Sequence, residues 1–287
     1  SNYSCGPDSF NLHFFSYVMQ NKPFAIIETD GHSGDAGTKT RIEAFLHCVH
    51  EERRAGGSTK EPQELLALVE AKACLQDVRD ADEMVLFPRM GPGAEVVAAA
   101  FRGIGIRAEC LPMPDGEALE LGRRVTSGKE CVPMTITAGS LLQRLQRETN
   151  PDEKFCFFMP TANGPCRFGV YNLLHKIIME RQGYKDNVRV FSASDDDYFA
   201  EVPPGFQILV WAGFLAMDLL LEGHYHARPA ETVRGASEKI WEGYQERLNR
   251  LIQEQAAGDL SLGRSLAEVA SGRLFGVTKL VSRAAQE

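Results

Sequence analysis

The chain has 287 residues, 44% of them hydrophobic and 24% charged, which excludes a disordered or fibrous protein and is enough for one large or two modest cores. Its formal net charge is −8, its isoelectric point lies near 5.5 and its basic residues are scattered, which argues against a nucleic-acid partner. The longest apolar stretch, FQILVWAGFLAMDLLL at 206–221, is interrupted by Gln207 and Asp218 and falls short of a bilayer span of roughly 20 residues. It reads as a buried helix, and no membrane partner is expected.

The opening SNYSCGPDSF has no basic segment followed by an apolar one, so no secretory leader is expected; so abrupt a start reads as a piece of a longer chain. In chain order, β-rich runs are PFAIIET (23–29), MVLFP (84–88), IRAECLP (106–112), KFCFFMP (154–160) and VRVFSAS (188–194). Helical spacing of apolar residues falls near 40–54, 62–78, 93–103, 115–126, 133–147 and 167–182. The alternation predicts an α/β fold over about 1–229: a Rossmann-like, mostly parallel sheet of about five strands with helices on both faces. Beyond Pro229 the texture changes. Val233, Ala236, Ile240, Tyr244, Leu248, Leu251 and Ile252 make one helical stripe, Gly258 and Asp259 interrupt it, and a last helical segment runs over about 261–282. Residues 230–287 are therefore expected to form a helical tail that packs on the first domain or makes an interface, and self-association stays open.

Seven cysteines, an odd number with no CxxC pair and no export signal, predict free thiols in a reducing, cytoplasmic compartment. No local zinc spacing is present. Cys48, Cys74, Cys110 and Cys156 sit inside periodic segments and read as small buried hydrophobes. Cys5, Cys131 and Cys166 differ. SCGPDSF, GKECVPM and NGPCRFG each place the thiol at a helix entrance beside proline or glycine. A helix N-terminus offers free N–H groups and partial positive charge, which favour a thiolate or an anionic group. Three thiolates from three loops suit an iron–sulfur cluster that keeps one iron for a non-protein ligand. The plain alternative is three loop cysteines near glycines.

Five segments carry a resemblance: SCGPDSFNLHFF, ETDGHSGDAGTKTRIEAF, FPRMGPGAEVVAAAFRGIGIRAECLP, LGRRVTSGKECVPMTITAGSLL and FFMPTANGPCRFGVYNLL. Together they resemble the dehydratase-like region of the large CoA-substrate-specific enzyme activase fusion proteins, related to the 2-hydroxyacyl-CoA dehydratase and benzoyl-CoA reductase iron–sulfur subunits. The resemblance covers about residues 3–200, is most specific at TSGKEC and NGPCRFG, and is weak after about 230. It implies an oxygen-sensitive [4Fe-4S] cluster held by Cys5, Cys131 and Cys166, and an ATP-hydrolysing activator that supplies a low-potential electron. In the related dehydratases that electron reduces the carbonyl of a CoA thioester to a ketyl radical, which expels the hydroxyl group. No phosphate-binding glycine loop with a strand and helix around it occurs here, so the activator is expected outside this chain.

Other candidates come from the residues alone. ETDGHSGDAGTKTR gathers Glu28, Asp30, His32, Asp35, Thr40 and Arg41 at the end of the first expected strand, where α/β proteins bind ligands. There His32 is a candidate acid or base and Arg41 a candidate anion holder; the alternative is a loop that caps the next helix. Lys129 and Glu130 read as solvated turn residues, and Arg167 as a charge balancing a cluster or pairing with an acid. SASDDDYF (192–199) lacks the spacing of a calcium loop, and His224 and His226 of GHYHARP, expected just after a helix, lack a third zinc ligand. Two rivals stand beside the cluster reading. One is a non-catalytic module that docks an ATPase domain or another subunit, its cysteines structural or vestigial; the other is a small-molecule-binding domain using the His32–Arg41 loop.

Overall fold

The computed structural model describes residues 6–20, 22–28, 34–57, 65–70, 74–162, 164–192 and 201–287. Helices α1 (Gly6–Met19), α2 (Asp35–Arg54), α3 (Leu65–Glu70) and α4 (Leu75–Asp80) precede strand β1 (Met84–Phe87). Then come α5 (Gly93–Gly103), β2 (Ala108–Cys110), α6 (Gly116–Val125), α7 (Val132–Gln146), β3 (Phe155–Phe158), α8 (Tyr171–Arg181) and β4 (Val188–Phe191). The chain ends in α9 (Phe206–Ala227), α10 (Ala236–Ala256), α11 (Leu262–Ala270) and α12 (Val277–Ala284).

The four strands form one all-parallel sheet in the order β2-β1-β3-β4. Val85 of β1 lies opposite Ala108 on one side and Cys156 on the other. A parallel sheet covered on both faces needs strands that are apolar throughout, and all four residues of β3 are buried. The pleat sends alternate residues to two cores. Val85, Phe87, Cys156 and Phe158 pack with α5, α9 and α10, whereas Leu86, Phe155 and Phe157 pack with α1, α7 and α8.

The expected α/β architecture is present, with four strands among the described residues rather than about five. The missing one is PFAIIET: its described part, 23–28, pairs with no strand, leaves Ile26 exposed, and sets Phe24 edge-on against Phe15 of α1 at 5.5 Å. An apolar run this short covers a helix as readily as it joins a sheet. The helix expected over 62–78 is also divided. Cys74 takes an extended backbone and α4 begins after it, the Cys74 sulfur capping the helix by accepting the Asp77 N–H at 3.4 Å. Cys48, expected to be buried, is exposed on α2, a helix none of whose residues is buried.

Residues 206–221 do form a helix. α9 is long and apolar enough to cross a membrane by length and composition, yet Leu209, Ala212, Ala216, Met217 and Leu220 lie in the first core. Tyr244, Leu248 and Ile252 of α10 enter the same core. Each such burial is worth roughly 1.5–3 kcal/mol, which ties the C-terminal helices to the sheet.

Candidate functional site

The strand order reverses between β1 and β3: the chain goes from β1 to β2 on one side, then crosses to β3 on the other. In open parallel sheets the crevice at such a reversal, beyond the carboxyl ends of the strands, is where ligands bind. The segment leaving β3 there carries Cys166. It opens a 3₁₀ turn, Arg167–Val170, that leads into α8, so the expected α-helix entrance is a tighter turn. Cys131 is the residue before α7, with Pro133 in the first turn. Both thiols thus stand at helix entrances with extended backbone, Cys131 at ψ 144° and Cys166 at ψ 129°.

These two entrances meet. Tyr171, the first residue of α8, places its hydroxyl against the sulfur of Cys131. Burial pushes the Tyr171 hydroxyl pKa up, and the hydrogen bond to Cys131 pushes the same way. The ring is held by Phe10, stacked at 5.8 Å, and by Phe168, edge-on at 5.3 Å.

Arg167 draws in the third segment. Its Nη1 donates to the carbonyl of Gly6 at 3.1 Å, to Ser9 Oγ at 3.0 Å and to the carbonyl of Lys129 at 3.4 Å. Its guanidinium also lies 5.8 Å from the centre of the Phe10 ring. One cation therefore joins the residue after Cys5, the loop before Cys131 and the residue after Cys166. No carboxylate among the described residues pairs with it; the acceptors recorded for it there are two carbonyls and the Ser9 hydroxyl.

Glu130 holds the middle loop, and sequence reasoning misjudged it. Its side chain is buried and accepts from the Ser127 N–H, the Ser127 hydroxyl at 2.8 Å, the Gly128 N–H at 3.0 Å and Nε2 of His13 on α1. Burial alone would push this carboxyl up; the hydrogen bonds from His13 and Ser127 outweigh it and hold the pKa at about 2. A signal for this was present: Ser127 and Glu130 have the S-x-x-E spacing of a capping box, in which the glutamate reaches back to the serine N–H. Gly128 takes φ +84° in this loop, a conformation that a side chain would strain. Lys129 is likewise no free turn residue, since its ammonium pairs with Glu28. The start of the ETDGHSGD segment is thereby brought to the loop that precedes Cys131.

α7 must sit correctly for Cys131 to reach this place. Gly139 and Gly122 let α7 and α6 touch backbone to backbone: a Cβ on Gly139 would lie 1.7 Å from the Ala118 oxygen, and one on Gly122 1.9 Å from the Thr135 oxygen. One turn beyond Tyr171, fully buried His175 donates from Nδ1 to the Tyr171 carbonyl at 2.7 Å, and its Nε2 has no hydrogen-bond partner among the described residues. Desolvation lowers its pKa to about 4, so the ring is neutral.

The remaining candidates divide. Cys5, His32, Asp30 and residues 193–200 lie outside the described residues. Arg41 is exposed on α2 and does not join the thiols. His224 and His226 lie within α9 rather than after it; His224 is buried and pairs with Glu238 at 3.3 Å, while exposed His226 pairs with Glu222.

Cys131 and Cys166 are soft donors of the kind an iron–sulfur group takes, and they stand at helix entrances that Tyr171 joins. Among the described residues no group of three His, Cys, Asp or Glu is placed to hold a metal ion. Compared with protein-family models, with characterised proteins and with solved structures, the chain matches none.

Proposed function

We propose that the chain is a redox domain of the 2-hydroxyacyl-CoA dehydratase type, which holds a [4Fe-4S] cluster through Cys5, Cys131 and Cys166 and receives an electron from an ATP-hydrolysing activator in the cytoplasm. The observation that carries this reading is the gathering of the three cysteine-bearing segments on the Arg167 guanidinium. When bound, the cluster would supply one-electron reduction and an iron position open to a substrate oxygen. The chain's own residues hold and tune the site. Arg167 offsets thiolate charge, Glu130 and His13 fix the loop before Cys131, and Tyr171 contacts the Cys131 sulfur. A CoA thioester as substrate rests on the motif resemblance alone. The test is anaerobic reconstitution with iron and sulfide, followed by electron paramagnetic resonance of the reduced protein. A cubane signal is expected; a colourless, signal-free protein would reject the reading.

A second reading, a docking module without catalysis, is favoured by α2. This 20-residue helix buries no residue and leaves Ile42 and Leu46 on one exposed apolar stripe. On that reading Cys131→Ser and Cys166→Ser leave association with the ATPase partner intact. Loss of that association together with the cluster would reject it.

A further inference from the structure

Tyr171 is not a ligand in any reading of the motifs, yet its surroundings single it out. It is the first residue of α8, 3% exposed, with its ring fixed between Phe10 and Phe168. Fixing the ring fixes the direction of the hydroxyl, and the only hydrogen-bond partner recorded for that hydroxyl among the described residues is the Cys131 sulfur. Cys131 itself is partly accessible, and its backbone is set by the helix start and by the Glu130 loop. The Tyr171 ring and the Cys131 backbone are thus both held in place.

We propose that Tyr171 is a positioning residue for Cys131: its hydroxyl donates a hydrogen bond to the sulfur and so limits how strongly that sulfur donates to iron or attacks an electrophile. A phenol is a better donor than a thiol, and a thiolate is acceptor only, which fixes the sense of the bond. A hydrogen bond to a ligating sulfur draws electron density from it and raises the potential of the iron it binds. The consequence for potential rests on the cluster reading; the bond itself does not.

The experiment therefore has two arms, both on Tyr171→Phe, which keeps the ring and its stacking and removes only the hydroxyl. In iron-free, reduced protein, the rate of Cys131 alkylation by iodoacetamide is followed by peptide mass spectrometry at a pH where the rate has reached its plateau. There the thiolate fraction no longer matters and nucleophilicity alone is read. The rate at Cys131 is expected to rise several-fold while that at Cys48 stays unchanged. Equal Cys131 rates in the two proteins would overturn the proposal. In reconstituted protein, the reduction equilibrium is expected to shift about tenfold against reduction, ~59 mV for a one-electron couple. An unchanged midpoint would overturn the tuning role. Failure of the unsubstituted protein to hold iron would instead overturn the cluster reading, with the alkylation result still deciding the hydrogen bond.

Discussion

Nη1 of Arg167 donates to the carbonyl oxygen of Gly6 at 3.1 Å, joining residues 161 apart in sequence. The same nitrogen reaches Ser9 and Lys129, so Arg167→Met removes three hydrogen bonds from one charged donor at once. A bond to a charged group is worth roughly 1.5–3 kcal/mol and bonds that share one atom do not add, so a loss of about 2–4 kcal/mol is expected in urea unfolding. Arg167→Lys should restore only part of this, because an ammonium lacks the planar fork and the stacking over Phe10. Equal midpoints for Arg167→Met and the unsubstituted protein would contradict the clasp.

Glu130 and His13, both buried, share a side-chain hydrogen bond. Glu130→Gln keeps the volume but removes the charge that four donor contacts address, and the expected cost is about 3 kcal/mol. A double-mutant cycle with His13→Gln should give a coupling energy of at least about 1 kcal/mol. Additive costs would show that the two side chains do not cooperate.

Acid should weaken the fold in two windows. His175 has its pKa lowered from 6.5 to about 4 by burial, so the unfolded chain binds the extra proton first. Its contribution is complete above pH 6.5 and falls away as the pH drops toward 4, by about 3 kcal/mol in all. Glu130, lowered from 4.5 to about 2, contributes fully above pH 4.5 and loses this as the pH falls through 2. Stability measured from pH 7 to 4 should therefore decline in the unsubstituted protein and much less in His175→Leu. Parallel curves would assign the decline to other groups.

The close contact of α6 and α7 makes Gly139→Ala a severe change, since the added carbon meets backbone atoms rather than a flexible side-chain tip. Overpacking of this kind costs roughly 1–3 kcal/mol or more, and the displaced helix is the one that presents Cys131. Thermal unfolding should fall by several degrees. Gly116→Ala, where nothing lies within 4 Å of the added carbon, is the matched control. A Gly139→Ala melt as high as the control would argue that the helices separate freely.

The sheet was readable in the sequence because a doubly covered parallel strand must be apolar throughout, and FCFF of β3 could be little else. PFAIIET is also largely apolar, yet Phe24 packs on Phe15 of α1; which surface an apolar run covers is set by the tertiary fold. At the site, proline and glycine next to Cys131 and Cys166 marked two helix entrances. That these entrances meet was not readable, because Tyr171 and Arg167 join segments far apart in the chain. Glu130 was misread since a lone charged turn residue is usually solvated, and only its spacing from Ser127 hinted at the buried carboxylate.

The central claim is that Cys5, Cys131 and Cys166 serve one cluster. Iron and sulfide bound per chain after anaerobic reconstitution, compared across Cys5→Ser, Cys131→Ser, Cys166→Ser and the exposed control Cys48→Ser, tests it most directly. About four irons and four sulfides are expected in the unsubstituted chain and in Cys48→Ser, with most of this lost in each of the other three. Iron binding that survives all three substitutions, or never occurs, would contradict it.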